Sequence, residues 1–474
     1  MNAPLLRVAE LAMFERDVRL RMPFRFGVVT LTESPQAFAR VRIELEDGRS
    51  SWGLAAELLA PKWFDKDLAL SNQDNYAQLR LALGIARDAY LGDRARRSAF
   101  GHFAAHYRAQ IEAGARRGLN PLVACYGPAL IDRALLDALC RVLGVSFYDA
   151  LRANLPGIAP AALLPEFAGF DMHAFLGALE PAATIAARHT VGLVDALTEA
   201  EVREAVNDGL PQTLEQVVAA YGQRYFKLKV GGVVAEDIER LSAIAAVLDR
   251  IPDAYFASLD GNEQYESIEG VVELWSRMQA EARLQRLVKS ILFIEQPIKR
   301  SCALEKDVSA VSRDTPVIID ESDSDLDVFP RARELGYAGV SSKTCKGLYK
   351  SMINAARCAR WNAEGQTARY FMSAEDLTLQ AGVAVQQDLA LVNLLGIRHV
   401  ERNGHHYVNG MAGLTEAEQS GFLAAHPGLY ERSHGAVRLR IQGGQMDIAS
   451  LSCKGYAVAA EPDWSSMRKM VLPN

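Results

Sequence analysis

The second half of the chain alternates short apolar runs with longer amphipathic segments. The apolar runs predict strands at residues 189–193, 225–230, 255–260, 291–295, 316–320, 339–343 and 369–373. Successive runs begin about 25 to 36 residues apart, which leaves room for a helix between them and is typical of repeated β–α units. Because such units form a parallel sheet or close into a barrel, this half of the chain is predicted to be an α/β domain.

The first part of the chain mixes strand and helix patterns instead. Residues 37–46 alternate apolar and polar side chains, as a half-buried strand does, and residues 46–49 form the turn that ends it. Apolar residues at helical spacing cover 79–91 and 131–143. Residues 155–187 are rich in Pro, Ala and Gly, and their weak pattern predicts a connector between an α+β region and the β–α repeats.

Composition narrows the class of protein. The chain has 474 residues, of which 49% are hydrophobic and 23% charged, and its net charge is -6. This is typical of a globular protein of two or three domains. Without a basic stripe or an apolar run of roughly 20 residues, neither nucleic acid nor a membrane is an expected partner. The N-terminus lacks a signal-peptide pattern and the six cysteines form no CxxC pair, which indicates reduced thiols and a cytoplasmic location.

Polar and charged residues stand where five consecutive predicted strands end. In chain order they are Lys227 and Lys229, Asp260 with Asn262, Glu295, Asp320, and Lys343. In a barrel the carboxyl ends of the strands meet at one rim, where catalytic side chains lie. Alternation places Lys227 and Lys229 on one face and turns Asp320 inward, while Glu321 either points away or lies beyond the strand. Asn262 fits two roles, a turn residue bonded to its own backbone or a residue that supports the acids.

The residue types at this rim suit metal-assisted proton abstraction. Three carboxylates on adjacent strands are hard oxygen donors of the kind that Mg²⁺ prefers. A cation flanked by lysines suits removal of the proton α to a carboxylate, because the metal neutralises the charge that develops on the substrate. The positive charge of Lys227 disfavours the protonated form of Lys229, which makes Lys229 a candidate base. Lys343 would reach the opposite face of the same carbon.

Five acids fall within eight positions at the end of the 316–320 run, namely Asp320, Glu321, Asp323, Asp325 and Asp327. A calcium loop over residues 323–334 would have acids at its first, third and fifth positions, but Val328 stands where the sharp turn requires Gly. Pro330 instead suits the first turn of a short helix, so the last three acids are expected to be solvated charges in the loop before it. Only Asp320 is then left to join the acids of neighbouring strands.

Together these motifs resemble the enolase superfamily, in its muconate-lactonizing-enzyme and mandelate-racemase-like branch. The matching residues are Lys227-x-Lys229, Asp260-x-Asn262, Glu295-Gln-Pro297, Asp320-Glu-Ser322 and Lys343, each on a separate predicted strand. The resemblance covers most of the chain and implies a modified TIM-type (β/α)7β barrel with an N-terminal α+β capping domain. In that outline residues 1–150 are the cap, 151–187 the connection, 188–415 the barrel, and 416–474 a tail that packs back on the cap.

The resemblance also implies roles for residues at the strand ends. In the family pattern the Mg²⁺ ligands are Asp260, Glu295 and Asp320, the supporting residues are Asn262 and Glu321, and the acid/base residues are Lys229 and Lys343, with Lys227 tuning Lys229. Loops of the cap, here residues 22–27 and 55–64, would select a small-molecule carboxylate substrate. Arg25, Glu57 and Trp63 are the candidate contacts in these loops, although each also suits a purely structural role. The resemblance further implies a homo-oligomer.

Three features depart from the family pattern. Lys343 is not followed by the usual glycine pair, and a second lysine, Lys346, lies close enough to compete for its role. The segment after the last predicted strand lacks the Asp-x-Asp signature of dipeptide epimerases. The pair His405 and His406 belongs to no motif, and the Asn-Gly before it favours a surface turn.

The sequence therefore leaves the reaction open. Racemisation or epimerisation uses acid/base residues on two sides, cycloisomerisation opens a ring, and dehydration of an acid sugar expels a hydroxyl group. Both lysines are kept in this architecture even where only one of them moves a proton, so their presence does not decide. The alternative from another class is a catalytically silent metal-binding protein on the same scaffold, because a fold alone does not imply activity.

Overall fold

The N-terminal part of the protein is an antiparallel sheet covered by helices. The structure, a computed structural model, describes residues 3–26, 29–365 and 368–473. The strands β1 (Leu6–Phe26), β2 (Val29–Leu45) and β3 (Ser50–Leu58) pair in chain order. The predicted strand at residues 37–46 lies within β2 except for its last residue, and residues 39–45 alternate between buried and half-exposed positions.

Three helices pack on this sheet, namely α1 (Asn72–Gly92), α2 (Ala99–Ala115) and α3 (Pro121–Leu143). The sequence sets the limits of α3 clearly. Asn120 caps its N-terminus by accepting a hydrogen bond from the Val123 amide, Pro121 occupies the first turn, and Gly144 ends the helix with φ of 70°. Most of α3 is buried because it packs against β3 on one side and against the barrel on the other.

The rest of the chain contains the barrel and its helices. The barrel strands are β4 (Thr184–Val191), β5 (Tyr225–Lys229), β6 (Phe256–Asp260), β7 (Ile291–Glu295), β8 (Val317–Ile319), β9 (Gly339–Ser342), β10 (Phe371–Ala374) and β11 (His399–Glu401). The helices α4 (Phe147–Arg152) and α5 (Met172–Gly177) precede them. The later helices are α6 (Leu214–Tyr221), α7 (Val234–Leu248), α8 (Ile268–Ala280), α9 (Gln285–Ser290), α10 (Ser309–Ser312), α11 (Val328–Glu334), α12 (Leu348–Glu364), α13 (Val383–Leu394), α14 (Gly404–Tyr407) and α15 (Glu416–Ala425).

The eight barrel strands form one curled parallel sheet. Its order is β10-β9-β8-β7-β6-β5-β4-β11, so consecutive strands are neighbours and β11 returns beside β4. Arg188 on β4, the neighbour of edge strand β11, reaches the opposite edge strand: it donates hydrogen bonds to Ser373 Oγ and to the Ala374 carbonyl on β10. The predicted fold class, a TIM-type barrel with an N-terminal α+β capping domain, is confirmed.

The predicted strands correspond closely to those of the barrel, with two exceptions. The first predicted strand, residues 189–193, starts five residues late, because β4 begins at Thr184. The last barrel strand, β11, was not predicted at all. It has three residues, His-Val-Glu, and such a short apolar segment carries no periodic pattern.

The C-terminal tail contacts both parts of the molecule. Its strands are β12 (Tyr430–Ser433), β13 (Ala436–Leu439), β14 (Gln445–Asp447) and β15 (Arg468–Lys469). β14 pairs with barrel strand β4, and β15 pairs with β1 of the cap. The domain limits drawn from the sequence stay a prediction. All six cysteines are free and four of them are buried. Among the helices of the described residues, none combines the length and the apolar character needed to cross a membrane.

Candidate active site

Six residues predicted from the sequence meet at the carboxyl rim of the barrel. They are Lys227, Lys229, Asp260, Glu295, Asp320 and Lys343, and none has more than 6% of its surface exposed. In the sheet register Lys229 pairs with Asp260, and Asp260 pairs with Glu295, so these side chains stand at one level. Asp320 and Lys343 each follow the last residue of their strand. The structure therefore gathers charges that lie up to 116 residues apart in the sequence.

The Lys227 side chain lies at the centre of an acidic cluster. Its ammonium nitrogen is 2.7 to 3.1 Å from oxygens of four carboxylates, those of Asp260, Glu295, Glu375 and Glu401. Burial opposes the charge on Lys227, but these carboxylates outweigh it, so the pKa of Lys227 is raised well above its ordinary value. Lys227 is thus a fixed positive charge at the floor of the site.

The sequence analysis missed two of these four acids. Glu375 directly follows β10 and also pairs with Arg188, while Glu401 ends β11 and accepts a hydrogen bond from Thr190. Burial raises the pKa of Glu401, but Lys227 and other lysines more than offset this and hold that pKa well below its usual range. The strand-end rule would have found Glu375, because residues 369–373 were predicted to be a strand. Glu401 lies on the unpredicted β11.

Lys229 is held by two oxygens on the next strand of the barrel. Its ammonium nitrogen is 2.5 Å from Asp260 Oδ2 and 2.5 Å from Asn262 Oδ1. Asn262 also donates a hydrogen bond from Nδ2 to Glu321 Oε1 over 3.0 Å. Glu321 lies beyond the end of β8, and its bond to Asn262 places it at the rim and not on the outward face of the strand. Asn262 thus holds Lys229 in place, and Glu321 holds Asn262.

Lys343 is held from the other side of the barrel. Its ammonium nitrogen is 2.8 Å from Asp320 Oδ2 and lies over the Trp63 ring, 4.3 Å from the centroid. Lys346 is 3.3 Å from Asp320 Oδ1 and bonds Ser341, so it lies beneath the acid. Burial raises the pKa of Asp320, but Lys343 and Lys346 outweigh it and hold that pKa far below its usual range. The pKa of Lys343 is raised, since Asp320 outweighs the opposing effect of burial.

A small cavity of about 30 Å³ lies above these side chains. It is lined by Lys227, Lys229, Asn262, Lys343, Asp376, Thr378, Glu401 and Asn403, and roofed by Phe24, Leu31, Ala60, Trp63 and Leu377. In the sheet order β5 and β9 are four strands apart in a barrel of eight, so Lys229 and Lys343 face the cavity from opposite sides. The roof is apolar and the floor is charged.

The three candidate substrate contacts of the cap have different positions. Trp63 lines the cavity. Glu57 is buried away from it, bound to Arg133 over 3.0 Å and to Thr344 over 2.9 Å, and burial raises the pKa of Glu57. Arg25 is exposed and does not line the cavity.

The reason for the position of Arg25 is local. The expected loop at residues 22–27 is a strand as far as Phe26, because β1 continues to pair with β2 there. Strand alternation then turns Phe24, and not Arg25, toward the barrel. Gly27 lies outside the described residues.

Part of the acidic run is also different from the prediction. The helix with Pro330 in its first turn is present as α11. Asp323, however, is not a solvated loop charge: only 1% of it is exposed, and its Oδ2 is 3.1 Å from Lys346 and 3.2 Å from Lys350. Its burial depends on two lysines more than twenty positions later, which the local pattern did not reveal.

The predicted surface turn at the histidine pair is wrong. His405 and His406 are buried in α14, with ring centroids 5.8 and 4.9 Å from that of His189 on β4. Burial lowers the pKa of His189 to about 3 and lowers those of the other two well below their usual range. The Asn-Gly that suggested a turn instead begins a helix, since Asp376 Oδ2 accepts hydrogen bonds from both of its amides.

The three acids on adjacent strands have the chemistry of a magnesium site. Asp260, Glu295 and Asp320 have no exposed surface, and Glu295 Oε2 accepts no aligned hydrogen bond although Lys227 is 2.9 Å away. Burial and the nearby acids Asp260 and Glu375 raise the pKa of Glu295 well above its ordinary value. A divalent cation relieves such an excess of buried negative charge. The acids fit Mg²⁺ in type and charge. Their donor atoms, however, do not all lie within 4.8 Å of one another.

The barrel region is similar in sequence to known proteins. Residues 209–417, which include every strand-end residue named above, match a family model described as enolase C-terminal domain-like. The match covers the strands β5 to β11 and less than half of the chain. The resemblance to the enolase superfamily expected from the sequence is confirmed. No curated protein sequence matches the chain.

Solved structures share the fold over nearly the whole chain. A mandelate racemase/muconate lactonizing protein from Herpetosiphon aurantiacus is 16% identical, with 96% of this chain and 99% of that one covered and a TM-score of 0.58. An enolase superfamily member from Roseovarius nubinhibens, complexed with magnesium, is 17% identical, with 98% and 99% covered and a TM-score of 0.57. The substrate-liganded L-Ala-D/L-Glu epimerase from Bacillus subtilis is 16% identical, with 96% and 99% covered and a TM-score of 0.57. At these identities the likeness concerns the fold.

Proposed function

We propose that the protein is an Mg²⁺-dependent enzyme that removes the α-proton of a carboxylate substrate, as a racemase, epimerase or cycloisomerase. The observation that carries this proposal is the position of Lys229 and Lys343. They border one cavity from opposite sides of the barrel, with three buried acids on the strands between them. With a lysine on either side of one bound carbon, the one in its neutral amine form could remove a proton from one face, and the one in its ammonium form could deliver a proton to the other face.

The acids between the lysines would hold the cofactor. Asp260, Glu295 and Asp320 would bind Mg²⁺, which when bound supplies positive charge to an enediolate. Asn262 orients Lys229, and the Trp63 ring orients Lys343. The apolar roof excludes water from the reacting carbon, which strengthens every electrostatic interaction beneath it.

The cavity favours a substrate with an apolar body. Five apolar side chains form its roof, whereas an acid sugar would need hydrogen-bond partners there for its hydroxyl groups. This weighs against the dehydratase alternative. We infer a carboxylate whose charged end meets the lysines and whose apolar part lies against Trp63 and Leu377.

The experiment is deuterium exchange. The full-length protein is incubated with Mg²⁺ in D₂O and a panel of carboxylic acids that carry an apolar group at the α or β carbon. We expect deuterium at the α-carbon of at least one acid. Inversion of configuration identifies a racemase or epimerase, and a ring-opened product identifies a cycloisomerase.

Two variants test the lysines and a third serves as the control. Lys229→Met and Lys343→Met should each reduce exchange by about a thousandfold, since each removes one acid/base group. Lys289→Met, at the C-terminal end of α9 on the outside of the barrel, should leave exchange unchanged. Exchange that survives removal of Mg²⁺ by EDTA, or that survives both catalytic-lysine substitutions, would overturn the proposal. If the protein binds Mg²⁺ but exchanges no acid of the panel, the catalytically silent alternative is favoured.

A further inference from the structure

The capping domain contains a second cluster of metal-ligating side chains, remote in sequence from the barrel. Asp93 is the C-terminal cap of α1, and His102 and His106 are four residues apart on one face of α2. Within the described residues, these three alone bring His, Cys, Asp or Glu donor atoms within 4.8 Å of one another. Asp93 Oδ2 is 3.1 Å from His106 Nε2 and 4.0 Å from His102 Nδ1.

The tautomer of His102 is fixed by the strand beneath it. Its Nε2 is 3.0 Å from the Leu6 carbonyl on β1, and because a carbonyl only accepts, Nε2 carries the proton. Nδ1 therefore presents a lone pair toward the Asp93 carboxylate. His102 has no exposed surface, and Nδ1 has no hydrogen-bond partner. A buried acceptor facing a carboxylate is unfavourable unless a cation lies between them.

We propose that Asp93, His102 and His106 form a binding site for a divalent transition metal of the Zn²⁺ type. Two imidazole nitrogens and a carboxylate oxygen are a donor set that zinc prefers, with a fourth position left for water. Ligand atoms around tetrahedral zinc are roughly 3.3 Å apart, between the two distances found here. The backbone contact of His102 is the usual support for a metal-bound imidazole.

The electrostatics of the cluster agree with this assignment. Burial lowers the pKa of both His102 and His106, which keeps the ring nitrogens free to bind a metal near neutral pH. Arg97 is the competitor, since its Nε donates to Asp93 Oδ2 over 2.8 Å. The Arg97 side chain is 40% exposed, so it can turn toward solvent when a metal binds. Bound zinc would tie the end of α1 to α2.

The test is a zinc titration of the full-length protein in the presence of saturating Mg²⁺, which fills the acids of the barrel. We expect one Zn²⁺ per chain by calorimetry, a higher melting temperature, and visible absorption of tetrahedral Co²⁺ when cobalt replaces zinc. His106→Gln and Asp93→Asn, both at partly exposed positions, should each weaken zinc binding by about a hundredfold or more. His434→Gln, at an exposed histidine, should leave it unchanged.

Arg97→Ala distinguishes a metal site from a salt-bridge cluster. Removal of the competitor should tighten zinc binding or leave it equal while the Co²⁺ spectrum persists. Absence of stoichiometric zinc binding, or equal binding by His106→Gln and the unaltered protein, would overturn the proposal. A loss of zinc binding in Arg97→Ala would do the same. The comparison of His106→Gln and Asp93→Asn with the unaltered protein does not depend on the acids of the barrel, so this proposal and the proposed enzyme activity can fail separately.

Discussion

Two aspartates of the acidic run, Asp320 and Asp325, have different environments. Asp320 is fully buried and contacts Lys343, Lys346 and Ser341, whereas Asp325 is partly exposed and accepts the amide of Asp327. The barrel fixes the first of these acids, and the loop before α11 fixes the second. Their contributions to function should differ accordingly.

We expect Asp320→Asn to abolish Mg²⁺-dependent exchange and Asp325→Asn to change it less than about twofold. Loss of a metal ligand is worth several kcal/mol of transition-state stabilisation, or about a thousandfold in rate. The measurement is deuterium incorporation together with Mg²⁺ affinity by calorimetry. Equal losses in both variants would mean that the whole run, and not one acid of it, serves the reaction.

The acidic residues of the site show how far it could be predicted from the sequence. Asp260 and Glu295 end apolar runs, so local pattern and barrel geometry were enough to bring them together. Glu401 could not be found in this way, because its strand has three residues and no periodicity. The burial of Asp323 depends on Lys346 and Lys350, and charge pairs between distant positions leave no local pattern.

At the scale of elements, the cap depends on one close contact between a strand and a helix. A Cβ atom built on Gly53 of β3 would lie 2.1 Å from the Ala138 amide nitrogen and 2.2 Å from the Ala134 carbonyl oxygen of α3. These two backbone atoms of α3 leave no room for a methyl group on Gly53. α3 also packs against the barrel, so a shift of this helix would reach the site.

We therefore expect Gly53→Ala to lower the free energy of unfolding by roughly 3 kcal/mol, the upper part of the range for overpacked cores. Gly421 on α15 is the matched control, since a Cβ there would meet nothing within 4 Å. Gly421→Ala should stabilise by up to about 1 kcal/mol through helix propensity. Urea unfolding of both variants measures the difference. A neutral Gly53→Ala would mean that β3 and α3 separate at little cost.

At the scale of the whole molecule, the cap is fastened to the barrel by polar contacts around the cavity. Arg300 of the barrel donates to the backbone carbonyls of Trp63 and Phe64, and Lys66 of the cap donates to the Asn262 carbonyl. These bonds hold the apolar roof over the lysines. A substrate larger than the present space of about 30 Å³ therefore requires this part of the cap to move.

The buried histidines give the whole molecule a predictable response to acid. His189, His405 and His406 pack together outside the barrel wall, and burial lowers the pKa of each below the ordinary value of 6.5, to about 3 for His189. Below about pH 6.5 the unfolded chain binds protons that the folded protein does not. The free energy of unfolding should consequently fall as the pH falls, by up to about 1.4 kcal/mol per pH unit for each histidine.

We expect the histidine contribution between about pH 6.5 and pH 5, measured as the difference in urea unfolding between the unaltered protein and His189→Gln, because buried acids with a raised pKa, such as Glu57 and Glu295, act in the opposite direction in both proteins. His189→Gln should reduce the slope of stability against pH by up to the contribution of one histidine, whatever its effect on stability at neutral pH. His173→Gln, at an exposed residue, should leave the slope unchanged. An unchanged slope in His189→Gln would mean that His189 takes up its proton in the folded state. The packing of α14 against β4 would then have to open at a pH where the barrel is still intact.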